Sequence, residues 1–288
     1  MNDQAARLRR KVEITNNPRQ AKTIAIVSGK GGVGKSNIAL NFSLELMNQG
    51  KKVIIFDLDI GMGNINILLG LQPKNSIVDL FNEGLSVHDI IEHGPNGLSF
   101  IAGGSGLSGF LQLDESKRNY FFDQYNELIQ MYDYIIFDMG AGATDDSLFF
   151  ILAADECVVV TTPEPTSITD AYSMIKHIVH NGGKMPIQIV LNRSTSRKEG
   201  ALALERFQQV VHKFLDIQTT VLGVMPDDKT VTQAVIRQTP YMMLDEKSQV
   251  SKAMRKLTEK YVLASNKNNT AETKTFTEKL KKLLRGKV

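Results

Sequence analysis

A glycine-rich segment near the N-terminus carries the residues best suited to chemistry. It reads Gly29-Lys30-Gly31-Gly32-Val33-Gly34-Lys35-Ser36, which fits the G-x-x-x-x-G-K-[ST] pattern of a phosphate-binding loop. The glycines let backbone N–H groups approach phosphate oxygens, and the following helix N-terminus adds partial positive charge. Lys35 is the candidate ligand of the outer phosphates, and the Ser36 hydroxyl is a candidate Mg²⁺ ligand. The alternative is a glycine-rich turn that begins a helix, but the match at all eight positions favours the phosphate loop.

Three aspartates lie where predicted buried strands end. Asp57 and Asp59 follow the run 53–56, and Asp138 follows the run 134–137. The carboxyl ends of strands in a doubly wound sheet line the ligand crevice, so these carboxylates should face the phosphates. Four apolar residues and then Asp is the Walker B pattern, whose carboxylate holds Mg²⁺ directly or through water. The alternative for each is an N-cap of the next helix, and for Asp57 this alternative carries nearly equal weight.

Segments of two hydrophobic types must position these residues. Short apolar, β-branched runs predict strands that are covered on both faces, at Thr23–Ser28, Lys52–Asp57, Leu98–Ala102, Tyr134–Asp138, Glu156–Thr161, Ile187–Asn192 and Thr220–Met225. Segments of helical period lie between them, at about 35–49, 114–131, 144–154, 166–181, 199–215, 228–238 and 247–264. This alternation predicts one α/β domain with a doubly wound, mostly parallel sheet flanked by helices.

Lys30 adds information that a generic phosphate loop lacks. The stretch from Lys30 to Ser36 resembles the deviant phosphate loop of the MinD/ParA ATPases. The resemblance implies ATP and Mg²⁺ as cofactors, an ATP-dependent homodimer, and a Lys30 that reaches across the interface to the partner's nucleotide. A cation placed there would offset charge on the transferring phosphoryl group. The alternative is a solvated loop lysine.

The same resemblance assigns roles at the other strand ends. Asp59 would position the attacking water and so joins Lys30 and Lys35 as a catalytic candidate, while Asp57 and Asp138 would lie with Ser36 around the metal. The segment after Asp138 departs from many relatives, because Met139-Gly140 replaces Ser-Pro or Thr-Pro. Two further strand ends resemble positions that flank adenine, and they supply the candidates Asn192, Arg193, Pro226 and Asp228. Ordinary turn residues would look the same.

The net charge of +3 hides an uneven distribution. Residues 1–22 carry six basic and two acidic side chains, and residues 276–288 carry five basic and one acidic, so the rest of the chain has a net charge of −5. We therefore divide the chain into an arm at 1–22, an ATPase domain at 23–264, a polar linker at 265–275 and a C-terminal helix at 276–288. Such asymmetry indicates that the two arms bind other molecules.

The C-terminal segment has the pattern of a basic amphipathic helix. Phe276, Leu280, Leu283 and Leu284 fall on one helical face, and basic residues occupy the other. On a flexible tether this composition predicts a surface-lying membrane anchor that binds phospholipid weakly as one copy and more tightly as two. The alternatives are a terminal helix packed on its own domain and a nucleic-acid-binding tail. The apolar face counts against the tail.

The N-terminal arm narrows the resemblance to one group. An Asp-Gln-Ala-x-x-Leu-Arg segment, here Asp3 to Arg9, together with the MinD-type loop and the C-terminal helix resembles the FlhG (YlxH/FleN) family, ATPases that set flagellar number and position. The resemblance implies that this arm stimulates a GTPase of the FlhF type, with Gln4 near its nucleotide; the candidate residues are Asp3, Gln4, Arg7, Leu8 and Arg9. A disordered basic leader is the alternative.

These observations predict a dimerising Mg²⁺-ATPase that is cytoplasmic, binds reversibly to the inner face of the cell membrane and regulates flagellar placement and number. The resemblance adds flagellar basal-body (C-ring) proteins as partners, and we expect no nucleic acid. The alternatives are a septum-site MinD-type ATPase and a ParA-like DNA-partitioning ATPase, and the acidic body counts against the second. Iron–sulfur relatives need at least two cysteines per chain, and the sequence has one.

Overall fold

An eight-stranded sheet forms the centre of the described part of the chain. The computed structural model describes residues 20–59, 63–82, 84–103, 110–142, 144–267 and 274–285. The strands are β1 (Lys22–Ser28), β2 (Val53–Leu58), β3 (Ile91–His93), β4 (Ser99–Ile101), β5 (Tyr134–Ala141), β6 (Glu156–Thr161), β7 (Ile187–Ser194) and β8 (Thr219–Pro226). The helices are α1 (Lys35–Asn48), α2 (Ile65–Leu69), α3 (Ile77–Asn82), α4 (Val87–Ile90), α5 (Glu115–Met131), α6 (Asp145–Ala153), α7 (Pro165–His180), α8 (Arg197–Leu215), α9 (Lys229–Ile236), α10 (Tyr241–Leu244), α11 (Gln249–Lys267) and α12 (Phe276–Arg285).

The strand order explains how the sheet assembles a site. The order is β3-β4-β2-β5-β1-β6-β7-β8, and every neighbouring pair is parallel except β3 with β4. This confirms the predicted mostly parallel α/β fold. Because β2, β5 and β1 are neighbours, Asp57 pairs in register with Asp138, and Asp138 with Ile26. The phosphate loop and both carboxylate-bearing strand ends therefore meet at one edge of the sheet.

Helices cover both faces of the sheet, which is why the strands are apolar throughout rather than alternating. One hydrophobic layer contains buried residues of α5, α6, α7, α8 and α12, and the other contains those of α1, α2, α10 and α11. The burial of β1 and β2 is nearly complete along their whole length.

All seven predicted strands are present, and the structure adds the three-residue edge strand β3. It also adds the short helices α2, α3, α4 and α10. Each of these elements is six residues or fewer, too short for a hydrophobic period to stand out from the sequence.

The body of the domain extends further than the sequence predicted. Lys22, assigned to the arm, is already part of β1, and Ala21 before it is buried. At the other end α11 continues to Lys267, past the predicted boundary at 264, and Ser265 is buried and accepts a hydrogen bond from Lys22 at 3.0 Å. The arm candidates Asp3, Gln4, Arg7, Leu8 and Arg9 lie outside the described residues.

The C-terminal helix packs against its own domain, which corrects the expectation of a free anchor. The ring of Phe276 lies among those of Tyr125, Phe137 and Phe150, with centroid separations of 4.5, 5.2 and 5.9 Å. Leu280 is fully buried in the same layer, and Leu283 and Leu284 are packed against it and partly buried. The apolar face that suits a membrane also suits a groove beside α5 and α6, and burial there removes it from water.

Polar contacts fix the docked helix at its border. Lys279 Nζ lies 2.6 Å from Asp155 Oδ1, and Thr277 donates a hydrogen bond to Asn126 Oδ1 at 2.8 Å. The ammonium of Lys281 lies 4.7 Å from the ring centroid of Phe122. Within the residues that the structure describes, no helix has the length and apolar character needed to cross a bilayer.

Candidate nucleotide-binding site

The phosphate loop joins β1 to the first turn of α1. Gly34 at the helix N-cap has φ 90°, and Gly32 has φ 78°. Residues with a side chain are strained at such positive φ angles, whereas glycine is not. A larger residue does not fit at Gly29 for a different reason: its Cβ would lie 2.1 Å from the carbonyl oxygen of Asp170 on α7. The loop is therefore held against α7, and the residue types that the pattern requires follow from its geometry.

Lys35 forms a buried ion pair with the Walker B aspartate. Its Nζ lies 2.6 Å from Asp138 Oδ1, and both side chains are almost entirely excluded from solvent. A buried pair of this kind is held in place only when both charges are present, because either charge alone would be uncompensated. The sheet therefore places the phosphate-binding cation directly beside the carboxylate predicted to serve the metal.

Asp57 lies under the same cluster and is fully buried. Its two carboxylate oxygens accept hydrogen bonds from the backbone amides of Asp59, at 3.1 Å, and Ile65, at 3.0 Å. Burial and then the neighbouring Asp138 carboxylate raise the pKa of Asp57 to about 6, although these hydrogen bonds and Lys35 oppose the shift. Asp57 thus bonds to the first amide of α2, at Ile65, in addition to adding charge.

Asp59 is half-buried at the rim of the site. Its Oδ2 accepts a hydrogen bond from Asn64 Nδ2 at 3.0 Å, and a Cβ on Gly140 would lie 3.3 Å from its Oδ1. Burial raises the pKa of Asp59, and Asp138 adds to this effect while Lys35 opposes it. Asp59, the residue predicted to position water, therefore lies against the C-terminal end of β5.

The oxygen groups of the site fit a hard divalent cation. Asp138 Oδ2 is buried and has no hydrogen-bond partner among the residues that the structure describes, whereas Oδ1 is bound to Lys35. An orphaned buried carboxylate oxygen is costly unless a cation or water binds it. Ser36 is half-buried on the first turn of α1, so its hydroxyl and the Asp138 carboxylate form an oxygen donor set of the kind that Mg²⁺ prefers.

The candidates for adenine recognition also lie close together, at the ends of β7 and β8. Ser194 pairs with Pro226, and the amide of Asp227 donates to the Ser194 carbonyl at 3.0 Å. Asn192 is buried and donates from Nδ2 to the Val33 carbonyl at 2.8 Å, so this strand end contacts the phosphate loop directly. Arg193 is exposed with φ 56°.

Asp228 has a structural role that the sequence did not reveal. Its Oδ1 accepts from the amide of Thr230 at the start of α9, and its Oδ2 accepts from the amide of Val250 in α11. Both oxygens are thus engaged in holding two helix N-termini. We expect Asp228 to shape the loop beside Pro226 rather than to contact a base.

Lys30 extends away from this cluster in the single chain. Its Nζ lies 2.7 Å from Glu164 Oε2 and 3.1 Å from Thr166 Oγ1, at the start of α7. Glu164 and Thr166 were missed by the sequence analysis, because they are more than 130 residues from Lys30 and belong to no recognised motif. A Glu before Pro165 predicts only that a helix begins there.

This geometry defines a P-loop nucleotide site of the deviant type. The nucleotide-binding domain family described as CobQ/CobB/MinD/ParA matches residues 24–241. The chain belongs to that family, and it is an ATPase.

The relatives within the family confirm the resemblance to the FlhG group. The chain is 31% identical to the antiactivator FleN of Pseudomonas aeruginosa over 239 residues, which cover 83% of this chain and 85% of FleN. It is 35% identical to the flagellum site-determining protein YlxH of Helicobacter pylori over 248 residues, which cover 82% of each. The cell division ATPase MinD of Pyrococcus furiosus superposes with a TM-score of 0.69 at 25% identity and covers 85% of this chain and 99% of MinD.

Proposed function

We propose that this chain is a Mg²⁺-ATP-dependent dimerising switch that binds the membrane reversibly and regulates the placement and number of flagella. The observation that carries the proposal is the arrangement of Lys35, Asp138 and Asp59 around the phosphate loop. The partial exposure of Lys30 beside this loop is consistent with a role across a dimer interface. The relative YlxH is a flagellum site-determining protein, which supports the flagellar assignment over septum placement.

In this proposal each residue of the site does a separate job. The loop amides and Lys35 bind the phosphates, Ser36 and Asp138 hold Mg²⁺, and Asp59 orients the attacking water. Bound Mg²⁺ would neutralise charge on the phosphate oxygens. Lys30 of the partner supplies the remaining positive charge, so hydrolysis requires the dimer. Asn192 and Pro226 hold the adenine.

The docked C-terminal helix supports a membrane switch rather than a constitutive anchor. Phe276 and Leu280 are buried in the single chain, so contact with phospholipid requires the helix to leave its groove. We propose that the ATP-bound dimer releases two copies, whose combined affinity holds the complex at the inner face of the membrane. The N-terminal arm, with Gln4 and its neighbours, would then meet an FlhF-type GTPase, and the dimer would carry C-ring proteins.

Co-sedimentation of the full-length protein tests the switch. Vesicles with anionic phospholipid and, separately, duplex DNA are mixed with protein in Mg²⁺ with a non-hydrolysable ATP analogue or with ADP. We expect vesicle binding with the analogue, little with ADP, and none to DNA. Leu284→Glu on α12 should abolish vesicle binding, while Leu263→Glu, at an exposed leucine of α11, serves as the matched control.

Two outcomes would contradict the proposal. DNA binding without vesicle binding would favour the partitioning alternative, and equal vesicle binding with ADP would remove the nucleotide switch.

For the flagellar assignment, deletion of the gene in the organism of origin should change the number or position of flagella seen by electron microscopy. A displaced septum with normal flagella would favour the MinD-type alternative.

A further inference from the structure

Lys30 and its acceptor on α7 are both held in fixed positions. The backbone of Gly29 contacts α7 so closely that a side chain would collide with the Asp170 carbonyl, and Ser28 Oγ donates to the Lys30 carbonyl at 3.0 Å. The contact between Lys30 and Glu164 therefore joins two rigid parts of the fold rather than two mobile surface chains.

The turn that carries Glu164 is braced by hydroxyl groups. Ser167 Oγ accepts from the amide of Thr162 at 3.0 Å and bonds to Thr161 Oγ1 at 2.9 Å, and all three residues are buried. Pro165 at the first helical position fixes the backbone after Glu164. This bracing sets the Glu164 side chain where the loop passes α7.

We propose that Glu164 is a positioning residue of the ATPase. In the single chain it binds Lys30 and keeps the ammonium from a second subunit's nucleotide, so dimerisation must break this contact before Lys30 can act in trans. This inference rests on the proposed role of Lys30 across the dimer. The Lys30–Glu164 contact within one chain opposes dimerisation, and it therefore raises the concentration of ATP-bound protein at which the active dimer forms.

The ion pair between Lys30 and Glu164 is weak enough to be broken in every cycle of ATP binding and hydrolysis. Lys30 is 33% exposed and Glu164 62%, so solvent and salt weaken their attraction. Arg193 also faces Glu164: the bond to Lys30 is the main reason that the pKa of Glu164 is lowered, and Arg193 contributes to the same effect. Glu164 therefore keeps a cation nearby when Lys30 leaves, which reduces the cost of release.

Glu164→Gln in the full-length protein tests this role. Sedimentation equilibrium with Mg²⁺ and a non-hydrolysable ATP analogue gives the dimer dissociation constant. We expect this constant to fall by about two- to thirtyfold at low ionic strength, because each dimer breaks two exposed ion pairs. The ratio of variant to wild type should approach one near ~1 M salt, where charges are screened within about 3 Å. In steady-state assays the variant should reach half-maximal specific ATPase activity at a lower protein concentration, with the same plateau.

Matched variants separate this role from a general surface effect. Glu115→Gln alters another exposed glutamate at the N-terminal end of a helix and should leave the dimer constant unchanged. Glu164→Asp, which retains the charge, should give a dimer constant close to that of the wild type. Thr166→Ala removes the second acceptor of Lys30 and should act like Glu164→Gln but more weakly. Thr169→Ala on the same helix is its control, because the Thr169 hydroxyl donates to the Pro165 carbonyl of its own helix.

The outcomes distinguish this inference from the function on which it rests. A wild-type protein that stays monomeric with the analogue would refute the proposed dimer switch and this inference with it. A wild type that dimerises alongside a Glu164→Gln variant with an unchanged constant would refute only the positioning role. A weaker dimer in Glu164→Gln would also overturn it, because Glu164 would then act across the interface rather than within the chain.

Discussion

Phe276→Ala should detach the C-terminal helix without unfolding the domain. Phe276 is 2% exposed and packs against three aromatic rings, the nearest at 4.5 Å. Truncation of a buried Phe to Ala costs about 3–5 kcal/mol. If α12 docks as a separate step, this cost acts on the docking equilibrium, and every 1.4 kcal/mol changes that equilibrium about tenfold. We therefore expect the equilibrium constant for docking of α12 to fall by about a hundredfold or more.

Hydrogen exchange measured by mass spectrometry reports the docking directly. In the variant, amides within α12 should lose protection by about two orders of magnitude, or to the level of an open peptide, while those of β1 and β5 keep the wild-type level. Phe214→Ala provides the control. Phe214 is 65% exposed at the end of α8, so its truncation removes little buried apolar surface.

Two results would refute this reasoning. Unchanged protection of residues 276–285 would mean that Phe276 does not hold the helix in its groove. Equal loss of protection across α12 and β5 would mean that α12 is an inseparable part of the core, and a reversible membrane anchor would then be excluded.

Three further predictions concern the nucleotide site and the core. Asp59→Ala should reduce ATP hydrolysis by at least about a hundredfold while nucleotide binding, measured by calorimetry, stays near wild type, because the substitution leaves the loop amides and Lys35, the proposed phosphate ligands, unchanged. In nucleotide- and metal-free protein the pKa of Asp57 is about 6 when folded against 3.8 unfolded, so urea denaturation should show stability falling as the pH rises from about 4 to about 6, and Asp57→Asn should flatten this slope. Burial raises the pKa of the Cys157 thiol to about 12, so a thiol reagent at pH 8 should modify it only as fast as the protein unfolds.

The central fold and the phosphate loop could be predicted because their signals are local. The run before Gly29 is a continuous apolar strand, and the glycines and Lys35 are spaced by the loop itself. The same holds for Asp138, since four buried residues precede it in one strand. Once the strands are assigned, a parallel sheet brings their carboxyl ends to one edge without further information.

Features that depend on distant partners could not be predicted. Lys30 and Glu164 are in contact because β1 and β6 are neighbours in the sheet. From the sequence, each of them would be predicted to be a solvent-exposed charged residue. The apolar face of α12 has the same pattern whether it meets lipid or a groove, so the sequence could not choose between the two. Asp228 was matched to a base-flanking segment, whereas its oxygens meet two helices that only the fold brings together.

The position of Phe276 ties the helix to the nucleotide site through two elements. Phe137, in contact with Phe276, immediately precedes Asp138 on β5, and Phe150 belongs to α6, the next helix after β5, whose Gly140 lies beside Asp59. Any movement of α6 that follows a change at Asp59 therefore alters the wall against which Phe276 packs. Changing a docked population from about 99:1 to 1:99 requires about 5.5 kcal/mol, comparable to the whole burial of one Phe. A nucleotide could supply such a change only by opening most of this aromatic contact, so Phe276→Ala should make exposure of the helix independent of the nucleotide bound.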